Sequence, residues 1–319
     1  MSTVRAENSL DPSEGSFPYD LAKFITYRDR EVCARVRRIR KQDIAKHPNP
    51  NFRIRVIEDA DTFYAEFAAD LVGRIERARA EGRKFVAILP VGPTPQYEIA
   101  VRRINQMRLS CHHVHTFNMD EYADENGNTA PLSWPGSFQQ AMMENFFLKI
   151  DPELRPPLEQ IHFPSTSNID SYSHMIEDAG EADVCYGGIG WCGHIAFWEA
   201  HLGLEFGGDL AAYKKAPARL VELHPMTIMQ NALHSFGGDW SWVPPMAASI
   251  GPRDIVSARD RSFWLDGYIG GGVSWQRFIA RLVAHGPVNV LVPGSILQEV
   301  PGTYTMLGGV ADDVAIVMR

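Results

Sequence analysis

The glycine-rich stretch at residues 187–193 constrains the fold of this chain more than any other feature. Four glycines occupy those seven positions, and the mainly apolar residues 183–186 precede them. The apolar run predicts a short buried strand, and glycines directly after a strand let the backbone turn sharply and approach a ligand closely. His194 and Glu199 follow, five residues apart. The pattern predicts a glycine-lined crevice with a titratable histidine; a tight turn around a buried structural histidine is the alternative.

Strand-like and helix-like segments alternate along the rest of the chain. Strands are predicted at residues 52–57, 85–89, 112–118, 183–186, 246–250, 263–269 and 288–292. Helices are predicted at residues 21–46, 137–148, 170–179 and 274–284, with two more after residues 59 and 95. This alternation is typical of a mainly parallel sheet wrapped by helices. We therefore expect a three-layer, Rossmann-like α/β domain with helices on both faces of the sheet.

The first 51 residues differ from the remainder. Residues 1–18 are rich in Ser, Glu, Asp and Pro, which predicts a loose arm. Residues 21–46 carry many Arg and Lys side chains, with apolar positions at helical spacing. The basic face indicates either a solvated helix surface or a contact with an anionic partner or a neighbouring subunit. We expect an arm and helical extension over residues 1–51 and one α/β domain over residues 52–319.

Composition narrows the classes of partner. The formal net charge of the 319-residue chain is -8, which disfavours nucleic acid and anionic membranes. No run approaches the roughly 18 apolar residues that span a bilayer. The four cysteines form no C-x-x-C pair, so we expect reduced thiols in a cytoplasmic protein.

Two further junctions follow predicted strands. Gly92 and Thr94 lie in the turn between strand 85–89 and a helix, an arrangement that can bind an anion through backbone N–H groups. Asp120 and Glu121 follow strand 112–118, where carboxylates are costly unless they are solvated or used. Two roles are consistent with these acids: a general base in the crevice, or a cap of the loop. His113 and His115 share a strand face, but no further ligand follows at metal spacing.

Two motifs and three weaker matches carry a resemblance to a known family. They are residues 116–122 (Thr-Phe-Asn-Met-Asp-Glu-Tyr), residues 193–197 (Gly-His-Ile-Ala-Phe) with Glu199, and weaker matches at residues 137–151, 243–251 and 295–298. From about residue 52 onward the chain resembles the glucosamine-6-phosphate deaminase (isomerase) family, which is related to 6-phosphogluconolactonase. The Ile-Ala-Phe-x-Glu segment is similar to the deaminases rather than the lactonases.

The resemblance implies an enzyme that converts an amino sugar phosphate, glucosamine 6-phosphate or a close relative, to the ketose phosphate and ammonia. By this resemblance His194 would be the acid–base for ring opening, Asp120 the base at carbon 2, and Glu199 the group that orients His194. No metal or organic cofactor is implied. The family tends to self-associate, so a homo-oligomer is expected.

The resemblance also implies substrate contacts and shows departures. The implied contacts are Gly92, Thr94, Glu121, Cys192, Gly193 and Arg277. Cys192 stands where the family has a carboxylate, and a neutral thiol would hold an imidazolium less firmly. Arg277 is the possible substitute for a basic residue that grips the phosphate. These departures leave three alternatives: a related enzyme for an unphosphorylated amino sugar, a lactonase-like hydrolase, and a non-catalytic sugar-phosphate binder.

Overall fold

A computed structural model describes residues 19–92 and 94–316; the arm predicted over residues 1–18 lies outside this range. The strands are β1 Phe52–Ile57, β2 Phe85–Leu89, β3 Val114–Asn118, β4 Asp120–Ala123, β5 Ile161–His162, β6 Val184–Gly187, β7 Arg219–Glu222, β8 Met246–Ser249, β9 Asp260–Leu265, β10 Tyr268–Gly270, β11 Val273–Ser274 and β12 Gly302–Leu307. The α-helices are α1 Arg30–Arg37, α2 Ala60–Ala80, α3 Pro95–Met107, α4 Phe138–Asn145, α5 Ile169–Asp178, α6 Leu210–Tyr213, α7 Pro225–Ser235, α8 Pro252–Ser257, α9 Arg277–His285 and α10 Gly308–Ala311.

Seven parallel strands form the central sheet in the order β1-β12-β9-β6-β2-β3-β5. The buried residues of these strands and of the surrounding helices form one continuous apolar core. In α2, for example, the buried residues Phe63, Phe67, Leu71 and Ile75 recur every four positions, so one helix face packs on the core. The predicted α/β class with a mainly parallel sheet is confirmed.

The direction of the chain across the sheet reverses between β2 and β6. After β2 the chain continues outward to β3 and β5, whereas after β6 it continues the other way to β9 and β12. Open parallel sheets bind ligands at such a switch point, outside the carboxyl ends of the strands. The glycine-rich turn follows β6, so the fold places it at this crevice.

A second, antiparallel sheet of β4, β8 and β7 borders the crevice. Its first strand begins at Asp120, immediately after β3. The backbone N–H of Ile250 donates to the carbonyl of Met119 at 2.9 Å, which ties the end of β8 to the junction between β3 and β4. The second sheet therefore fixes the backbone on both sides of Asp120.

One predicted strand was wrong, and several observed strands were missed. Residues 288–292 do not form a strand but a turn before a 3₁₀ helix at Pro293–Glu299. The strands missed by the prediction include β12, which begins with a glycine and pairs with both β1 and β9. Its alternating polar residues gave a weak signal, and its position in the middle of the sheet comes from long-range pairing.

The predicted helix over residues 21–46 is reduced to α1. The guanidinium of Arg281 donates to the carbonyl of Ile39 at 2.9 Å, and the backbone N–H of Lys41 donates to Asp313 at 2.8 Å. Arg35 donates to the carbonyl of His285 at 2.9 Å. These contacts hold the N-terminal segment on α9 and the C-terminal end of its own chain. No helix in the described ranges has the length and apolar character needed to cross a membrane.

Candidate active site

A cleft of about 240 Å³ lies at the switch point of the central sheet. It is lined from the loop after β2 by Gly92, from the end of β3 by Asp120, and from the turn after β6 by Gly190 and His194. Further side chains come from α7 and from the segment after β9. Carboxyl ends of parallel strands and the turns that follow them thus form the cleft, as the sequence predicts.

The glycine turn fixes the position of the His194 ring. The N–H of Gly190 donates to the carbonyl of His194 at 3.0 Å, and the N–H of Gly193 donates to the carbonyl of Gly190 at 2.9 Å. Gly193 has a φ of +88°, a conformation that favours glycine. A Cβ atom at Gly190 would lie 1.9 Å from Nε2 of His194, so only glycine lets the imidazole ring approach this closely.

A buried group of polar side chains holds Nδ1 of His194. This atom lies 3.1 Å from Oε2 of Glu199 and 2.9 Å from Oγ1 of Thr227. The Thr227 hydroxyl donates to the same Glu199 oxygen at 2.9 Å. The other Glu199 oxygen accepts from the backbone N–H of His224 at 3.2 Å. Because Nδ1 is engaged, Nε2 is the ring nitrogen that can exchange a proton with a molecule in the cleft.

The environment of Glu199 keeps its carboxylate ionised. Burial alone raises the pKa of this fully buried carboxyl, but the adjacent His194 and the hydrogen bonds from Cys192 and Thr227 outweigh burial and hold the pKa below its usual value. A carboxylate that accepts from the imidazole fixes the ring orientation and its tautomer. This geometry is the arrangement expected for a histidine that gives and takes protons.

Cys192 joins the same group as a neutral donor. Its thiol donates to Oε2 of Glu199 at 2.9 Å and lies 3.5 Å from Nδ1 of His194. Burial, followed by the charge of Glu199, raises the pKa of the Cys192 thiol well above its usual value, so it stays protonated. Cys192 lies behind the histidine, where it lines a second cavity rather than the cleft.

Asp120 faces the cleft from the end of β3 and is only 8% exposed. Burial, and secondly the charge of Glu121, raises the pKa of Asp120 to about 8. A carboxyl whose pKa is near the working pH is suited to take and return a proton. Its neighbour Glu121 has a different role, because it caps α4: its oxygens accept from the N–H groups of Phe138 and Gln139 at 3.0 and 2.8 Å.

The remaining predicted contacts are not all in the cleft. Gly92 lines it, whereas Thr94 is exposed at the start of α3 and provides no side-chain cap. The Arg277 guanidinium donates to the carbonyl of Gly309 at 2.9 Å and contacts Asp312 at 3.2 Å. The structure therefore directs Arg277 toward the C-terminal segment. Neither Glu121 nor Arg277 lines the cleft, and the contacts of both are structural.

Several cleft residues were not found from the sequence. They are Asp266, which follows β9, and His234 and Gln276, which line the same cleft. The Tyr64 hydroxyl donates to Asp266 at 2.9 Å, and burial raises the pKa of Asp266 above its usual value. Among the described residues that line the cleft there is no Lys or Arg. Thr227 was also missed, because a single threonine 33 positions after His194 has no local signal.

The chain is similar in sequence to several named enzymes. A scan against family models finds no match. A glucosamine-6-phosphate deaminase of Caenorhabditis elegans is 35% identical over 212 residues, which cover 64% of this chain and 73% of the relative. A glucosamine-6-phosphate isomerase of Candida albicans is 32% identical and covers 74% of this chain and 88% of its own. A glucosamine-6-phosphate deaminase of Porphyromonas gingivalis is 31% identical over 269 residues, or 78% and 95% of the two chains.

Solved structures show the same fold. A monomeric glucosamine-6-phosphate deaminase superposes with a TM-score of 0.67 at 21% identity, over 81% of this chain and 98% of the other. A 6-phosphogluconolactonase from Thermotoga maritima superposes with a TM-score of 0.55 at 15% identity, over 80% and 98%. Sequence identity above 30% over most of each chain and the shared fold confirm the resemblance: the chain belongs to the glucosamine-6-phosphate deaminase/isomerase family.

Proposed function

We propose that this protein is an aldose–ketose isomerase and deaminase that converts glucosamine 6-phosphate, or a close relative, to the ketose phosphate and ammonia. One observation carries the proposal. Asp120 and His194 line the same cleft, and His194 is held at Nδ1 by an ionised Glu199. The relatives at 31–35% identity are named for this substrate, which agrees with the two proton-transfer groups.

His194 and Asp120 act one after the other in the proposed reaction. Nε2 of His194 takes the proton of the hydroxyl at carbon 1 and gives it to the ring oxygen, which opens the sugar ring. Asp120, in its carboxylate form, takes the proton from carbon 2 and returns it to carbon 1, and the amine leaves from carbon 2 as ammonia after water adds. A positioned acid or base of this kind contributes roughly 10²–10⁴ in rate. Glu199 stabilises the imidazolium that forms in between.

The first experiment is a coupled assay with glucosamine 6-phosphate. Ammonia and the ketose phosphate are measured for the wild type, for Asp120→Asn, and for Asp178→Asn as a matched exposed control at the end of α5. We expect equal amounts of the two products from the wild type and the control, and none from Asp120→Asn. Hydrolysis of 6-phosphogluconolactone without ammonia release would favour the lactonase-like alternative, and binding without turnover of either compound would favour the sugar-phosphate binder.

A second candidate substrate is an unphosphorylated amino sugar. The cleft side chains include the carboxyls of Asp120 and Asp266, whereas the described lining residues include no Lys or Arg. A phosphate carries about two negative charges near neutral pH, and no cationic side chain among these lining residues would neutralise them. A neutral hydroxyl at carbon 6 could instead donate to Asp266. This observation favours an enzyme of the same type with an altered substrate.

Side-by-side kinetics separate the two substrates. If the natural substrate lacks the phosphate, kcat/KM is higher for glucosamine than for glucosamine 6-phosphate, and Asp266→Asn lowers the first value while it raises the second. If the phosphate is required, kcat/KM is higher for glucosamine 6-phosphate, and Asp266→Asn leaves the ratio of the two kcat/KM values unchanged. His234→Ala serves as a control for general disruption of this end of the cleft, since the side chain lines it without a negative charge.

We further propose a cytoplasmic location and self-association. None of the four cysteines is in a disulfide, and three of them are buried, which agrees with a reducing compartment. Exposed apolar side chains on α7 and the segment after it, namely Met229, Leu233, Trp240 and Trp242, offer a surface for a second copy of the chain. Light scattering on the purified protein tests this: a monomer at all concentrations would rule out self-association.

A further inference from the structure

Three side chains with metal-binding atoms converge behind the His194 ring. Sγ of Cys192 lies 2.9 Å from Oε2 of Glu199 and 3.5 Å from Nδ1 of His194, and the last two atoms are 3.1 Å apart. All three side chains are buried. We propose that Cys192, His194 and Glu199 form an inhibitory binding site for Zn²⁺, which stops the proposed reaction by occupying Nδ1 of the histidine.

The distances suit a small tetrahedral ion. Zn–S bonds of about 2.3 Å and Zn–N or Zn–O bonds of about 2.0–2.1 Å place neighbouring ligand atoms roughly 3.2–3.6 Å apart. The three observed separations, 2.9–3.5 Å, need only a small outward movement of Cys192 and Glu199. Oγ1 of Thr227 lies 2.9 Å from Nδ1 and 3.8 Å from Sγ, so it borders the fourth position.

The charges of these groups also suit a dication. A Cys192 thiolate and the Glu199 carboxylate together neutralise Zn²⁺, and His194 binds as a neutral imidazole. A buried site with no net charge avoids the large cost of an uncompensated charge in the protein interior. Binding requires the thiol to release its proton to solvent, so the affinity should increase with pH. Thiolate and imidazole are the ligands that favour zinc over magnesium or calcium.

The ion has a route that does not pass through the substrate cleft. Cys192 lines a second cavity of about 280 Å³ between the N-terminal segment and α9. Cys33, on α1, lines the same cavity. Because His194 lines the cleft and Cys192 lines the second cavity, the three ligands lie between the two. The carboxylate at the Cys192 position in the family would bind zinc less selectively, so the thiol is what gives this chain its preference.

Zinc at Nδ1 would block the proton cycle of His194. The neutral ring that binds the metal through Nδ1 carries its one proton on Nε2, so Nε2 has no free lone pair with which to accept a proton from the substrate. The hydrogen bond between Glu199 and the imidazole is also lost, because the Glu199 oxygen binds the metal instead. The ring keeps its place against Gly190 but cannot alternate between acid and base. This inhibition rests on the proposed function, whereas metal binding itself does not.

A cobalt titration tests the binding directly. Chelator-treated full-length protein is titrated with Co²⁺, whose bond to a thiolate gives a sulfur-to-cobalt charge-transfer absorption. We expect saturation at one Co²⁺ per chain in the wild type and in Cys33→Ser, bleaching of the band by Zn²⁺, and no band in Cys192→Ser. Thermal unfolding verifies that each variant is folded. If Cys192→Ser does not fold, Glu199→Gln is the second variant, with at least 10-fold weaker cobalt binding expected.

Kinetics then test the consequence. Zn²⁺ should inhibit the wild type and Cys33→Ser reversibly, with activity restored by a chelator, and Cys192→Ser should need at least 10-fold more Zn²⁺ for half-inhibition. A wild type without the charge-transfer band, or a band that persists in folded Cys192→Ser, overturns the metal site. A band without inhibition overturns the inhibitory role. If no amino sugar is turned over, the proposed function fails, while the spectrum still decides whether the metal binds.

Discussion

Replacing Asp120 by asparagine is expected to stabilise the protein at alkaline pH while it abolishes turnover. Burial, and secondly the charge of Glu121, raises the pKa of Asp120 from 3.8 to about 8. In the unfolded chain the same carboxyl keeps its ordinary pKa of 3.8. Between these two values the unfolded chain binds fewer protons than the folded one. The free energy of unfolding therefore falls as pH rises from about 4 to about 8, and it levels off above that.

The size of the effect follows from the shift. A rise from 3.8 to about 8 corresponds to a ceiling of about 6 kcal/mol, at about 1.36 kcal/mol per pKa unit. Asparagine has nearly the same shape and no charge. The variant should therefore match the wild type below about pH 4 and be more stable near pH 9, by up to this ceiling of about 6 kcal/mol.

Two measurements check this reasoning. Urea unfolding of the wild type, Asp120→Asn and the exposed control Asp178→Asn is measured at several pH values between about 5 and 9. In parallel, kcat/KM of the wild type should rise tenfold per pH unit below about 8, because the base must be ionised. A difference in unfolding free energy that does not grow with pH, or a flat kcat/KM over this range, would refute the assignment of a buried, neutral carboxyl at Asp120.

Three further substitutions have distinct expected results. Thr227→Val removes a hydroxyl that bonds Glu199 and Nδ1 of His194. A hydrogen bond to a charged group is worth about 1.5–3 kcal/mol, so kcat should fall roughly 10- to 100-fold with KM nearly unchanged. Thr227→Ser keeps the hydroxyl and should restore most of the lost kcat. Gly190→Ala would place a methyl group 1.9 Å from Nε2, so we expect a folded protein by circular dichroism without turnover. Arg277→Met should leave KM for glucosamine 6-phosphate unchanged, but lower the unfolding free energy by about 1 kcal/mol, measured in urea.

The parts of the fold that the sequence predicts are those set by local patterns. Strands β1 and β2 were predicted with the observed bounds, because continuous or alternating apolar residues mark a strand wherever it pairs. The position of His194 also follows from a local pattern, because glycines directly after an apolar run mark the carboxyl end of a strand. Strand β12 could not be predicted in this way: its central position comes from pairing with β1, which lies about 250 residues earlier in the chain.

The chemistry of the site was predictable only where two groups share one motif. His194 and Glu199 are five residues apart, so a single turn places them together, and their contact follows from the motif. Thr227 reaches the same Glu199 oxygen from the first turn of α7, a position that depends on the packing of the whole domain. Glu121 illustrates the reverse case: it adjoins Asp120 in sequence, yet the alternation of side chains along β4 turns it away from the cleft, onto the N-terminus of α4.

Cys192 shows why a changed residue within a motif has to be interpreted from its contacts. By the family resemblance it stands in place of a carboxylate, which predicts a weaker hold on the histidine. In the structure the thiol donates to Glu199, so that Glu199 receives hydrogen bonds from Cys192, Thr227 and the backbone of His224. One ionised carboxylate with three donors holds the imidazole without a second buried negative charge beside it, and so without the repulsion that raises the pKa of paired acids. If this is correct, Cys192→Asp should bring two carboxyls into contact and lower the unfolding free energy above pH 5, measured in urea, rather than simply improve the enzyme.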